Sequence, residues 1–268
     1  MKILIKLGGT LLDDPASRHS IARQLAAVAH RNRTVVVHGG GKQVTRYLQE
    51  RGVESRFVGG LRVSDAPVIE AVTNVIAGGV NKQLVASLIA SECRAVGLSG
   101  IDGALTTAEQ LRPDLGFVGR PVRTSGRLLD LLLQGEYLPV VACVAGDQSG
   151  AIFNVNADQM AVSCASGWGA DRLIFLTDVP GVKDDTGKVI ANLTVSDIQE
   201  LIKSGVAHGG MEAKLEAART ALESGIGKVS IALGHEPNVC LRLLEGEKLG
   251  TDLYLTRPGG APEEDVAR

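Results

Sequence analysis

Short apolar runs that stop at glycine clusters limit the fold more than any other feature of the chain. Residues 2–7 read KILIKL and stop at Gly8-Gly9, and residues 34–38 read TVVVH and stop at Gly39-Gly40-Gly41. Residues 138–144 (LPVVACV), 172–177 (RLIFLT) and 228–233 (KVSIAL) are runs of the same kind. Each is too short for a helix and too uniformly apolar for a half-exposed strand, which predicts strands buried on both faces. Helical patterns lie between them. Asp14-Pro15 predicts an N-cap and a first helical residue, and Ile21, Leu25, Val28 and Ala29 follow at helical spacing up to about Arg31. A helix is expected from Gly41 to about Glu50, ended by Gly52, and residues 64–91 predict two helices broken near Gly78-Gly79.

The remaining elements follow from the same signals. Residues 94–98 predict a strand, 105–124 a hairpin excursion, and 128–133 a short helix. Residues 182–190 predict a hairpin around Asp184, Asp185 and Gly187. Thr194 and Asp197 resemble a capping pair for a helix ending at Gly205. Met211, Leu215, Ala218 and Leu222 predict a long helix ended by Gly225, and another helix is expected near 237–245. The Pro/Gly/Glu-rich tail from Arg257 reads as frayed. Alternating strands and helices predict an α/β fold with a mostly parallel sheet covered on both faces.

Composition narrows the function. The 268 residues carry a net charge of 28 − 30 = −2 and no basic stretch, which argues against nucleic acid as a partner. Glycine is abundant, at 33 residues, while aromatics make up only 3%, a balance that suits tight phosphate-binding turns better than base or sugar stacking. Cys93, Cys143, Cys164 and Cys240 have no C-x-x-C spacing, so reduced thiols in the cytoplasm are expected rather than a zinc site or disulfides. No signal peptide and no apolar stretch long enough to span a membrane is read in the chain.

In open α/β sheets, ligands bind beyond the carboxyl ends of the strands. There stand Lys6, Gly8 and Gly9; His38, Gly39, Gly40, Gly41 and Lys42; Asn154, Asn156 and Asp158; and Asp178, Pro180 and Gly181. Gly209 and Gly210 open the long helix, with Lys214 expected in its first turn. Glycine clusters, two lysines and a carboxylate in these places suit a nucleoside triphosphate. Each also has a plainer reading. Lys6 and Lys214 read alone as surface lysines, Asp158 as a first-turn residue behind an Asn156 cap, and His38 as a structural hydrogen-bonding residue. Met160, Cys164 and Trp168 form a core stripe. Val36 and Gln43 exclude a Walker loop around Lys42, and no G-x-G-x-x-G follows the first strand.

Seven motifs fall in one order along the chain: KLGGTLL at 6–12, VVHGGGKQV at 36–44, GLRV at 60–63, GLSGIDG at 97–103, NVNADQMA at 154–161, LTDVPGV at 176–182 and GGMEAKLEAA at 209–218. Together they resemble the amino acid kinase family, above all its members that phosphorylate the γ-carboxylate of N-acetyl-L-glutamate in arginine biosynthesis. The resemblance implies a three-layer αβα sandwich of the carbamate kinase-like type. It implies an N-terminal lobe (1–169) for the acyl amino acid and dimerisation, and a C-terminal lobe (170–268) for ATP. Gly40, Gly41, Arg62 and Asn154 would hold the acyl amino acid. Lys6 and Lys214 would face the phosphates, with Asp158 between them. Gly8, Gly9, Asp178, Val179, Pro180, Gly181, Val182, Lys183, Val206, Ala207, His208, Gly210 and Met211 would flank the nucleotide. Glu212-Ala213 departs from the hydrophobic residue and proline of many relatives, which leaves the entry to the long helix open.

The residues are consistent with that chemistry. A γ-carboxylate is already ionised at pH 7 and needs no general base; it needs cancelled charge and in-line positioning. Arg62 could grip a carboxylate bidentately. Mg²⁺ would be held by ATP oxygens and water, with no direct protein ligands. A sibling kinase for a carrier-protein-linked or otherwise N-blocked glutamate or α-aminoadipate fits the same motifs. A non-catalytic nucleotide-binding module fits less well, because Lys6, Asp158 and Lys214 are all present. Arginine-inhibited members of the family carry an extra helix before the first strand. Here that strand begins at about Lys2, so a homodimer insensitive to arginine is expected, paired through the apolar helix at 68–76.

Overall fold

Strand β1 (Lys2–Leu7) lies at the centre of the sheet, and its composition explains why. Ile3, Leu4, Ile5 and Leu7 are each completely buried. Ile3, Ile5 and Leu7 enter one core, while Leu4 enters another on the opposite face. A strand apolar on both sides needs cover on both sides. The computed structural model describes residues 1–257; the expected frayed tail lies, beyond Arg257, outside the described residues.

The other strands are β2 (Arg33–His38), β3 (Phe57–Val58), β4 (Leu61–Arg62), β5 (Ala95–Ser99), β6 (Thr106–Gln110), β7 (Val118–Thr124), β8 (Leu138–Ala142), β9 (Val144–Gly146), β10 (Ile152–Val155), β11 (Arg172–Thr177), β12 (Asn192–Thr194), β13 (Lys228–Leu233) and β14 (Thr251–Tyr254). The helices are α1 (Pro15–Ala29), α2 (Gly41–Gln49), α3 (Ala66–Val72), α4 (Asn81–Ile89), α5 (Arg127–Gln134), α6 (Ala157–Trp168), α7 (Val195–Lys203), α8 (Gly209–Glu223) and α9 (Val239–Leu244). Eight strands form the central sheet in the order β12-β14-β13-β11-β1-β2-β8-β5. Every pair is parallel except β13 with β14. Helices α1, α4 and α9 pack on one face and α5, α6 and α8 on the other, giving three layers. Strands β6, β7, β9 and β10 form a small separate barrel, and β3 pairs with β4 as a two-stranded flap.

Local chemistry sets the helix boundaries. Asp14 accepts from the N–H of Ser17 at 2.9 Å, and Pro15 opens α1. Thr194 and Asp197 cap α7 reciprocally, as their spacing predicts. The expected break between two helices does not occur. Residues 66–89 do not break at Gly78-Gly79; α3 and α4 are joined by a π-helical stretch, Thr73–Val80, with helical dihedrals at both joints. A helical glycine costs only about 1 kcal/mol, and buried packing of Val72, Ile76, Val80, Leu84 and Leu88 outweighs it. A strict four-residue spacing drifts around a helix of 3.6 residues per turn, and the wider π turns counter that drift. Within this helical stretch Val68, Val72 and Ile76 are 4%, 0% and 3% exposed and pack in the chain's own core.

Candidate active site

Side-chain alternation along β1 directs Lys2, Leu4 and Lys6 to the face covered by α6. Lys2 Nζ donates to Trp168 O at 2.9 Å, at the helix's carboxyl end, where a cation complements the dipole. Lys6 stands at the opposite end, near the partial positive charge of the α6 N-terminus. What compensates it is Asp158, the second residue of α6, whose Oδ1 lies 2.6 Å from Lys6 Nζ. Lys214 Nζ, from α8, donates to Asp158 Oδ2 at 3.2 Å. One carboxylate therefore holds two ammonium groups, one from each half of the chain. Their side chains are 9% (Lys6), 10% (Asp158) and 16% (Lys214) exposed, so water screens the set weakly. Burial pushes the Asp158 carboxyl up, but the charges of Lys6 and Lys214 outweigh it and hold the group below its ordinary value. Helix α8 begins at Gly209, so Lys214 lies in its second turn, not the first as expected.

Lys6 also borders a cavity of about 240 Å³ beside this triad. Gly40, Gly41, Arg62 and Asn154, the residues expected to hold an acyl amino acid, all line it. Arg62 is 7% exposed and held from several sides. Its Nη1 donates to Ser55 Oγ at 2.5 Å, its Nη2 to Gly41 O at 2.8 Å and Thr45 Oγ1 at 2.7 Å, and its guanidinium lies 4.7 Å from the Phe57 ring centre. These contacts tie the β3–β4 flap to the start of α2. They occupy three of the five guanidinium donors, leaving two for a ligand. Asn154 Nδ2 donates to Ser64 Oγ at 3.1 Å.

Helix N-termini supply the remaining positive potential. Asn156 caps α6, its Oδ1 accepting from the N–H groups of Asp158 at 2.9 Å and Gln159 at 3.2 Å. Helices α2 and α8 instead start on glycines with no side-chain cap. Their first amides are the unsatisfied donors that every helix start carries. A Cβ added at Gly41, Gly209 or Gly210 would meet nothing within 4 Å, so the backbone at both starts faces open space.

The residues expected around a nucleotide divide into groups. The Gly8 N–H donates to Leu176 O at 2.8 Å, and Gly9 lines the cavity. Asp178, Val179, Pro180, Gly181, Val182 and Lys183 follow β11 at its carboxyl end. Gly181 has φ +154°, and a Cβ there would stand 2.8 Å from Thr251 Oγ1, so this turn accepts only glycine. Val206, Ala207 and His208 lead into α8, whose first turn contains Gly210 and Met211. None of the residues from 178–183 or 206–211 lines the cavity, which places them outside its wall. Sequence reasoning missed Cys143 in that wall, with its thiol pushed up to about 12 by burial. It also missed Ser55, Thr45 and Phe57 around Arg62; their spacing carries no signal. Among the described residues no cluster of three metal-ligating side chains occurs, and no helix is long and apolar enough to cross a membrane.

Relatives match this chain over nearly its whole length. The Amino acid kinase family signature matches residues 1–232. The chain is 56% identical to an acetylglutamate kinase of Solibacter usitatus over 254 residues, covering 94% of this chain and 99% of that one. Among solved structures, an N-acetylglutamate synthase from Neisseria gonorrhoeae in complex with coenzyme A and N-acetyl-glutamate superposes with a TM-score of 0.86 at 23% identity, over 96% of this chain and 60% of that one. A Giardia carbamate kinase superposes with a TM-score of 0.71 at 16% identity, over 95% of this chain and 99% of that one. These two structures share the fold. With the motifs, the αβα layering and these relatives in agreement, the chain belongs to the amino acid kinase family.

Proposed function

We propose that this protein transfers the γ-phosphoryl group of ATP to the γ-carboxylate of N-acetyl-L-glutamate, forming the acyl phosphate, a step of arginine biosynthesis. The observation that carries the reading is the buried Lys6–Asp158–Lys214 set beside a cavity lined by Arg62 and Asn154. The high identity to an acetylglutamate kinase supports the choice of substrate.

The chemistry runs on charge and position. An ionised γ-carboxylate is the nucleophile, so no side chain has to remove a proton. Lys6, at the cavity, offsets charge on the transferring phosphoryl group, and Lys214 offsets charge on the leaving β-phosphate. Asp158 keeps both ammonium groups in place without touching the phosphates. Arg62 and Asn154, with the amides of Gly40 and Gly41, orient the acyl amino acid. The uncapped starts of α2 and α8 add partial positive charge. No side chain among the described residues is assigned to Mg²⁺, which, bound together with the nucleotide, would supply charge neutralisation at the phosphates. We assign residues 1–169 to acyl-amino-acid binding and 170–268 to ATP, a cytoplasmic location consistent with four buried free thiols, and a homodimer.

A coupled ADP-release assay tests the reading by comparing N-acetyl-L-glutamate with N-acetyl-α-aminoadipate. The account expects turnover with the first and little with the second. Preference for the aminoadipate would move the assignment to a sibling kinase for N-blocked aminoadipate. ADP release with neither would remove it.

A further inference from the structure

We propose that His38 and Asn81 are positioning residues: a two-residue hydrogen-bond relay that aims the Gly39–Gly41 turn at the substrate cavity. This rests on the reading of that cavity as the acyl-amino-acid site.

Each contact in the relay has only one possible direction. Asn81, the first residue of α4, is completely buried. Its Oδ1 is 3.2 Å from Lys82 Nζ, which can only donate. Its Nδ2 faces two carbonyl oxygens, Val140 O at 3.0 Å and Leu98 O at 3.4 Å. Flipping the amide would set nitrogen against an ammonium and oxygen against two carbonyls, so the orientation is determined. The same Nδ2 is 3.0 Å from His38 Nε2, which must therefore accept. The ring proton is then on Nδ1, which donates to Gly39 O at 2.8 Å. His38 has no exposed surface, and burial pushes its pKa down to about 4, so the ring is neutral at pH 7.

The relay acts through peptide geometry. The carbonyl of Gly39 and the N–H of Gly40 belong to one planar trans peptide and point to opposite sides. Fixing Gly39 O toward the His38 ring sets the Gly40 N–H on the opposite side of that peptide, and Gly40 itself lines the cavity. Sterics keep the turn in position but do not choose that orientation. A Cβ on Gly39 would stand 3.3 Å from Ala157 Cβ, and one on Gly40 3.1 Å from Ile76 Cγ1. The turn thus lies between α6 and the π-helical stretch, and glycine peptides there remain free to rotate without the hydrogen bond.

Two measurements test this. In wild-type protein with ¹⁵N-labelled histidine, long-range ¹H–¹⁵N spectra at pH 7 should show His38 as the neutral Nδ1–H tautomer, assigned by its loss in His38→Asn. An Nε2–H tautomer or an imidazolium overturns the relay. Kinetically, His38→Ala should raise KM for N-acetyl-L-glutamate about threefold to tenfold, the span of one lost hydrogen bond. The KM for ATP and kcat should stay within about twofold. In His38→Asn the amide nitrogen takes the place of Nδ1 and can still donate to Gly39 O, so it should recover most of the loss. Equal loss in both variants, or an equal rise in both KM values, means that His38 only fills space and overturns the proposal. Should His38→Ala not fold, the wild-type spectrum and the Asn variant decide. If wild-type protein shows no turnover of N-acetyl-L-glutamate, the functional reading fails, and the tautomer still decides the relay.

Discussion

Replacing Asp158 by Asn keeps the side chain's shape and removes the charge that joins the two lysines. Lys6 Nζ at 2.6 Å and Lys214 Nζ at 3.2 Å would then share a buried site with no counter-charge. At an effective dielectric of about 20, each attraction at such distances is on the order of 5 kcal/mol. Desolvation of the three groups offsets most of it, and removing one partner of a buried ion pair costs about 3–5 kcal/mol. For a chain of this size that predicts a fall in Tm on the order of 10 °C. The loss should depend on pH in one direction. The folded-state pKa of Asp158 lies below its ordinary value. Its contribution is therefore present above the unfolded value of about 3.9 and disappears as pH falls through the lower folded value. The gap between wild type and Asp158→Asn should be full at pH 7 and close only in acid. Turnover should drop about a hundredfold as the ammonium groups lose their anchor, while KM for ATP does not rise, because the site becomes more positive. Thermal unfolding across pH 3 to 8 and the coupled assay read both effects. A Tm close to wild type at pH 7, with turnover unchanged, would refute the reasoning.

Three further outcomes follow from named contacts. Lys6→Ala should cut kcat by about 10²–10³ with a much smaller change in nucleotide affinity, measured by steady-state kinetics and ATP titration. Arg62→Lys replaces a planar fork held by Ser55, Thr45 and Gly41 with a point charge, and calorimetry should show weaker N-acetyl-L-glutamate binding with ATP binding nearly intact. Gly97→Ala would place a Cβ 1.9 Å from Asn81 Oδ1, and urea unfolding should show a loss of about 1–3 kcal/mol.

Local signals make most of the framework legible in the sequence. β1, β11 and β13 keep the bounds predicted from their apolar runs, and Asp14, Asn156 and Thr194 cap the helices that their spacing suggests. The glycine pair at 78–79 misled because a helix breaker is weak against a continuous buried face. Strands β10, β12 and β14 escaped notice because three or four residues carry too little periodicity. Site legibility was divided similarly. Glycines at strand ends are readable, since few other residues let backbone approach a ligand. The pairing of Asp158 with Lys214 is not, because 56 residues separate them and only the fold brings them together. Resemblance to a family supplied that partnership, and the lysine's own surroundings, Glu212 and Glu216, suggested an ordinary helix surface. His38 was legible as structural, while its partner Asn81 could be suspected only as a polar residue opening an apolar helix.

The central claim is that a carboxylate oxygen of N-acetyl-L-glutamate receives the phosphoryl group, with charge compensation from the Lys6–Asp158–Lys214 set. Trapping the product with hydroxylamine tests it most directly, since an acyl phosphate yields a hydroxamate and ordinary ATP hydrolysis does not. The account predicts N-acetylglutamyl γ-hydroxamate in one-to-one proportion with ADP for the wild-type protein, and a parallel collapse of both products in Lys6→Ala. ADP formed without hydroxamate, or hydroxamate undiminished in Lys6→Ala, would contradict it.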